Sequence, residues 1–403
     1  MFNRTFGCVR LVWNKTLADR RAAFSQRGKQ TSYRETDAAL TAWKKTEQLA
    51  FLSEVSSVPL QQTLRHQHTA FVNFFAKRSR YPRFKSRTGR QSAHYTRSAF
   101  RIKNRQLYIT KTGGPLELAW SWPEVDLATA DPTTVVISRD TDGRWYATLA
   151  VDTDQPSPAE PTGHEIGIDL GIKDFAVTSD GDRIANPRHR ERKARNLARY
   201  QRRLARCRKG SANRRKARTR VAAAHRKVRH ARQDFLHKAS TALVRCADTI
   251  VIEDLAVANM IRNRSLARAI SDASWVEFRR QLEYKTARAG RTLVVIDRWY
   301  PSSKTCSDCG HLLPKLDLSI RAWTCPACRT RHDRDVNAAK NILAAGRAVT
   351  GQTPGDACGA DVRQQGTSLL QSAEKQETPG VTRGTPSVGQ GGEEVNPLPR
   401  RGR

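Results

Sequence analysis

Acidic residues are scarce. Asp and Glu number 38 against 72 Lys and Arg in 403 residues, giving a formal net charge of +34 and a pI near 10.7. A compact chain with so few acids repels itself unless a polyanion or counterions offset the charge. Nucleic acid is the leading partner, and an anionic membrane surface is the alternative. Long apolar runs are missing too. No stretch approaches the ~20 residues of a spanning helix, and the N-terminal MFNRTFGCVR lacks the apolar core of a signal peptide. The expectation is a cytoplasmic protein with no membrane partner. Its length leaves room for two or three domains.

The shortage of acids is sharpest between Arg188 and Arg232, where 20 of 45 residues are Lys or Arg and Glu191 is the only acid. Leu197 and Leu204, then Val221, Val228 and Phe235, recur at seven-residue spacing, with a KGSAN break at Lys209–Asn213 between the two sets. This pattern predicts two amphipathic helices folded as an antiparallel hairpin with a thin apolar seam. Without acids the helices lack the intrahelical pairs that would neutralise them. A phosphate backbone supplies that charge, with steep salt dependence. The candidate contacts are Arg202, Arg203, Arg206, Arg208, Lys209, Arg214, Arg215, Lys216, Arg218 and Arg220.

Cysteine is sparse as well, yet four of the eight cluster. CSDC (Cys306–Cys309) and CPAC (Cys325–Cys328) make a C-x2-C-x15-C-x2-C spacing. Each pair presents two thiolates to a tetrahedral zinc. Four ligands close the coordination shell, so this single zinc is structural. Cys8, Cys207, Cys246 and Cys358 are isolated thiols, and neither His311 nor His332 is needed as a ligand.

The remaining chain divides by periodicity. Residues 1–80 read as helices: Val9, Val12, Trp13, Leu17 and Phe24 form one stripe, and Leu64, Phe71, Phe74 and Phe75 another. These aromatics are expected mostly in the core. From Phe100 to Val151 the period falls to two, and an Asp-Gly turn inside VVISRDTDGRWYATLAV signals a hairpin. Pro156, Pro158 and Pro161 mark a linker. Beyond Thr350 the chain holds ten of its 24 glycines without hydrophobic periodicity, so a disordered tail is expected.

Within EIGIDLGIKDF (165–175), Ile166, Ile168 and Leu170 share one strand face, and Gly167, Asp169 and Gly171 the other. An acid inside a strand must be hydrogen-bonded, paired or metal-bound, and the glycines are expected to leave open space above it. TIVIEDLAV (249–257) carries Glu253 and Asp254, TLVVIDRWY (292–300) is a third strand, and a helix is expected over Ser274–Ala289. HDRDVNAAKNILAAG (332–346) is helical, with Asp335 near its start. Three such acids can converge at one end of a mixed sheet. They would repel one another and drive their pKa values up. Two magnesium ions ~4 Å apart relieve this and suit in-line phosphodiester cleavage.

FGCVRLVWN, RYPRFKSR (80–87), GIDLGIKDFAVTSDG, VIEDLAVANMIRN, YPSSKTCSDCG and CPACRTRHDRDVNAAKNI occur in one order. Together they resemble the TnpB family of transposon-encoded, RNA-guided DNA nucleases related to type V CRISPR effectors. The resemblance implies an α/β plus α+β architecture: an RNase H-like (RuvC) mixed sheet interrupted by a zinc ribbon, preceded by a helical region and a small β-barrel-like domain. It implies Asp169, Glu253 and Asp335 as catalytic acids holding magnesium, with the neighbouring Asp254 and Asp333 rejected, Asp333 because the family's DxNA pattern falls on Asp335. It also implies a guide RNA from the transposon end, target double-stranded DNA and a prokaryotic, nucleoid-associated setting. A short target-adjacent DNA motif would be read by the N-terminal domains. The expected domains are a helix-turn-helix-like recognition region (1–98), a wedge-like β domain (99–155) and a nuclease domain (162–304) bearing the basic hairpin (188–246). A ribbon (305–331), a last nuclease helix (332–348) and the tail (349–403) follow. Relatives of that family usually carry a strand and a short helical start before FGCVRLVWN, so either a start codon placed too late or an N-terminal truncation is expected. A nuclease-inactive nucleic-acid-binding regulator and a strand-transfer transposase are the alternative functions.

Overall fold

The computed structural model describes residues 1–351, apart from 29, 122–128, 130, 153–157 and 318. The expected tail from 352 onward, Cys358 and the linker's Pro156 therefore lie outside the described residues. No helix among those described is long and apolar enough to cross a membrane.

Three helices open the chain: α1 (Phe2–Arg27), α2 (Tyr33–Trp43) and α3 (Ser57–Phe75). Ser32 and Glu35 form a reciprocal capping box at the start of α2, and Gly28, in a left-handed conformation, stops α1. Val9, Val12, Trp13, Leu17, Leu64 and Phe71 are buried as their spacing predicts. Phe24 and Phe75 are instead 55% and 50% exposed. Periodicity marks a helix face but not where the helix outruns its core, and the last buried residue of α1 is Arg20.

Six short strands follow: β1 (Gln91–Thr96), β2 (Phe100–Lys103), β3 (Gln106–Ile109), β4 (Pro115–Leu116), β5 (Pro132–Arg139) and β6 (Trp145–Val151). They form two antiparallel sheets, ordered β1-β5-β6 and β2-β3-β4. The Asp-Gly turn joins β5 to β6, with Gly143 at φ +90°. Asn104 and Arg105, both at positive φ, turn β2 into β3. Strand β1 lies inside the segment read as helical, 1–98. Phe6, Val12, Leu60 and Leu64 share one core with Tyr95, Leu107 and Val135, so a boundary at 98 cuts through continuous packing.

The second core surrounds a five-stranded sheet. In chain order come β7 (Glu165–Leu170), β8 (Asp174–Thr178), β9 (Arg183–Ala185), α4 (His189–Arg206), α5 (Ala212–Cys246) and β10 (Thr249–Glu253). Then follow α6 (Val257–Met260), α7 (Ala267–Ala273), α8 (Trp275–Ala289), β11 (Thr292–Ile296), β12 (Ala322–Thr324), β13 (Arg331–Asp333) and α9 (Arg334–Thr350). The sheet order is β11-β10-β7-β8-β9. Strands β11, β10 and β7 run parallel, whereas β8 and β9 are antiparallel additions. Ile166, Ile168, Ile250 and Ile252 face Leu236 and Leu243 of α5 and Phe278 and Leu282 of α8. Val251, Val294 and Ile296 face Ile342 of α9 on the opposite side.

The space above Gly167 is not open. A Cβ there would lie 2.1 Å from the Ala339 carbonyl oxygen and 2.7 Å from the Leu343 nitrogen, so α9 packs its backbone directly on β7. A Cβ on Gly171 would meet the Asp174 carbonyl at 2.9 Å. These glycines admit protein, which corrects the expectation of a vacant approach to Asp169. Gly167→Ala must push α9 away, since backbone cannot step aside as a flexible side chain can. We expect a loss of about 3 kcal/mol, read as a lowered urea midpoint; an unchanged midpoint would refute the close approach.

Helix α9 starts at Arg334, two residues after the start read from sequence, because Arg331–Asp333 pairs with β12. It also runs to Thr350, past the expected end at 348, and stops at Gly351 in a left-handed conformation.

Candidate active site

Sheet register and the crossing of α9 bring the three acids together. Asp169 pairs with Val177 of β8. Ile252 of β10 lies opposite Ile168 of β7, which places Glu253 beside Asp169 at the carboxyl ends of two parallel strands. Asp335 occupies the first turn of α9, whose later turn covers Gly167. Asp169 registers this company. Burial, then the charges of Glu253 and Asp335, push its carboxyl up to about 7, against a weaker pull from Arg334 and Arg321. Burial also raises Glu253, opposed by a hydrogen bond from Ser302 Oγ at 2.5 Å. Asp335 receives Arg321 Nη1 at 3.3 Å and Arg183 Nη1 at 3.8 Å.

The neighbouring acids have other work. Asp254 pairs with Arg279 at 2.6 Å and with Arg298. Asp333 caps α9, accepting from the Asp335 and Val336 amides at 3.1 Å each, and binds Arg183 at 2.8 Å. Both carboxylates serve the fold.

The cysteines form the second cluster. The four Sγ atoms lie within 4.8 Å of one another. Cys306 sits 3.6 Å from Cys328, and Cys309 3.6 Å from Cys325. A tetrahedral zinc with ~2.3 Å bonds sets its sulfurs about 3.8 Å apart, so the donor set fits that ion. These distances also exceed any disulfide. His332 Nε2 lies 3.0 Å from Cys306 Sγ, placed to donate a hydrogen bond to it rather than to replace it as a ligand. Among the described residues this is the only group of His, Cys, Asp and Glu that tight. Asp169, Glu253 and Asp335 are not part of it.

A protein of Streptomyces pristinaespiralis called "Putative RNA-guided DNA endonuclease" is 54% identical over 389 residues, covering 96% of this chain and 94% of that one. "Putative RNA-guided DNA endonuclease InsQ" of Escherichia coli K12 is 31% identical over 386 residues, covering 92% and 94%. The chain belongs to the TnpB family. The family described as "Probable transposase" matches residues 148–264, which hold Asp169 and Glu253. The "Cas12f1-like, TNB domain" matches 275–342, which hold the cysteines and Asp335, and a "Helix-turn-helix domain" matches 1–29. A solved Cas12f1–sgRNA–target DNA complex aligns at TM-score 0.53 and 14% identity, covering 85% of this chain and 82% of that one. That likeness concerns the fold.

In this TnpB-family chain several site residues went unread in the sequence. Ser302 holds Glu253, and Arg183 and Arg321 approach Asp335 from β9 and the ribbon. Asn337 accepts from the Ser307 amide at 2.9 Å and donates to the Thr305 carbonyl at 2.7 Å. Asn341 donates to the Ser302 and Thr305 carbonyls, both at 2.7 Å. Both asparagines are buried. Their signal was legible: two amides four residues apart on the packed face of an alanine-rich helix.

The basic hairpin is α4 and α5, joined by residues 207–211. Leu197, Ala217 and Val228 are buried along its seam, while Leu204 and Val221 are only half-buried. Arg202, Arg203, Arg206, Arg208, Lys209, Arg215, Lys216, Arg218 and Arg220 are exposed. Arg214 differs. Its Nη1 donates to the Leu204 and Cys207 carbonyls at 3.0 Å each, clasping the loop. The Leu204 carbonyl also accepts from the Cys207 amide at 3.2 Å, so Arg214 reinforces the end of α4 and its loop.

Proposed function

We propose that this chain is an RNA-guided, magnesium-dependent DNA endonuclease with Asp169, Glu253 and Asp335 as its RuvC-type centre. The mixed sheet would be RNase H-like, interrupted by a structural zinc ribbon at 305–331. One arrangement carries the reading: the register of β10 on β7 sets Glu253 beside Asp169, and α9 opens with Asp335 in its first turn. Burial first, then the charges of Glu253 and Asp335, push the Asp169 carboxyl up to about 7. Relatives named as RNA-guided DNA endonucleases support the substrate.

Each residue has a task in this scheme. Asp169 projects from a strand backed by α9 and so holds a fixed position. Ser302 holds Glu253 Oε1, and the other oxygen would bind a cation. Asp335 is oriented by the start of α9, while Arg183 and Arg321 balance its charge. Bound there, magnesium would activate water and stabilise the leaving 3′ oxygen. The helices α1–α3 and the two small sheets of β1–β6, which share one core, would recognise the guide RNA and the target-adjacent DNA. The exposed arginines of the hairpin would follow phosphates.

The test is expression with native flanking DNA, sequencing of bound RNA and retargeting by an altered guide. Defined RNA ends and cleavage that follows the new guide are expected. Heterogeneous RNA with cleavage indifferent to the guide would overturn the proposal. For the hairpin, replacing Arg202, Arg203, Arg206, Arg215 and Arg218 by Gln should weaken binding to any sequence. The salt slope should become shallower by up to about 4, at ~0.7–0.9 for each phosphate that is no longer neutralised. An unchanged slope in a binding titration would reduce this run to a solvated face.

A further inference from the structure

Helix α5 carries two kinds of cation. Arg226, Arg229 and Arg232 each meet an acid from another element: Asp142, Asp140 and Asp272 respectively. Arg220 and Lys227 do not. With Lys193, Arg199 and Arg203 of α4 they line a cavity of about 580 Å³ between the two helices. None of these five has an ion pair among the described residues. Folding has therefore neutralised one stretch of α5 and left five like charges, all exposed, around a hollow, an arrangement that attracts an anion.

The hollow is more than a charged surface. Tyr200 lines it, its ring 5.3 Å from the Arg199 guanidinium. Ala223 and Ala224, two consecutive small side chains, keep its floor open. Phosphate tracking needs cations alone; an aromatic face over an apolar floor suits a flat ring. The volume lies within the roughly 300–1,000 Å³ of small-ligand sites. A paired base is stacked on both faces and cannot enter such a slot, whereas an unpaired one can.

We infer that the α4–α5 cavity receives one unpaired nucleotide of a bound polynucleotide, its base on Tyr200 and its flanking phosphates on the five unpaired cations. The inference rests on the reading of this hairpin as a nucleic-acid surface and adds a nucleotide-specific site to it. A guide RNA and an unwound DNA strand offer the same chemistry here.

Abasic scanning separates these sources. One nucleotide at a time loses its base, in the bound RNA and separately in single-stranded DNA, and affinity for the full chain is measured. At one position in one of the two strands, base loss should weaken binding about tenfold. Tyr200→Ala should bind about tenfold more weakly and lose that sensitivity, and Tyr200→Phe should keep it. Ala224→Leu fills the floor without changing charge, so it should match Tyr200→Ala while preserving the salt slope. Sensitivity at no position, or sensitivity that survives in Tyr200→Ala, would overturn the nucleotide site. If the five-arginine variant still loses affinity in that case, the basic surface stands alone; if it too binds normally, both readings fall.

Discussion

Asp169→Ala should abolish metal-dependent cleavage, by at least about a thousandfold, with binding of nucleic acid intact. The carboxylate contributes to a centre where bound cations supply several kcal/mol to the transition state, while phosphate contacts elsewhere position the substrate. Glu253→Ala and Asp335→Ala should match it, and the double variants should lose little more, because the three acids act as one unit. Asp254→Ala and Asp333→Ala are the controls. The first frees Arg279 and Arg298 and the second removes a helix cap worth about 1 kcal/mol, yet both should still cut. A stability measurement gives an independent reading. A carboxyl held near 7 when folded and near 3.8 when unfolded penalises the folded state as pH rises between those values. In metal-free buffer Asp169→Asn should therefore stabilise the protein by about 2 kcal/mol above pH 7, after discounting for residual solvent access, and by nothing below pH 4. Equal cleavage by wild type and Asp169→Ala, with the guide RNA supplied, would show that this aspartate is structural.

Cys309→Ser or Cys325→Ser should release about one zinc per chain, measured by elemental analysis, and remove cleavage with it. Metal binding supplies the folding free energy of such ribbons, and here the ribbon's base is strapped to the candidate centre. Asn337 and Asn341 bind the backbone of Ser302, Thr305 and Ser307, and Ser302 also holds Glu253. Arg321, just before β12, reaches Asp335. Collapse of the ribbon therefore disturbs two of the three acids without touching β7. Full zinc content in either variant would remove the four-cysteine assignment. Zinc loss with normal cleavage would show that the straps are dispensable.

The sequence by itself determined what chain neighbours decide. Thiolates two residues apart form a knuckle whatever surrounds them, so the cysteine spacing specified a tetrahedral donor set. Period two marked β7, a short apolar β-branched run marked β10, the Asp-Gly pair marked the β5–β6 turn, and seven-residue spacing marked the hairpin; each follows from steric rules within a few residues. The scarcity of acids set the expectation of a polyanionic partner. Contacts between distant residues were decided by the tertiary structure alone. Ser302 and Glu253 lie 49 positions apart, and no local pattern couples a serine to a carboxylate at that range. The same holds for the α9 backbone on Gly167, which turned an expected opening into a packed contact. It holds as well for the arginines of α5. Side by side in sequence they look alike, yet Arg226 meets Asp142 of the β5–β6 turn while Arg220 faces a cavity. A charge's partner is set by which element folds against it, and that is a property of the assembled chain.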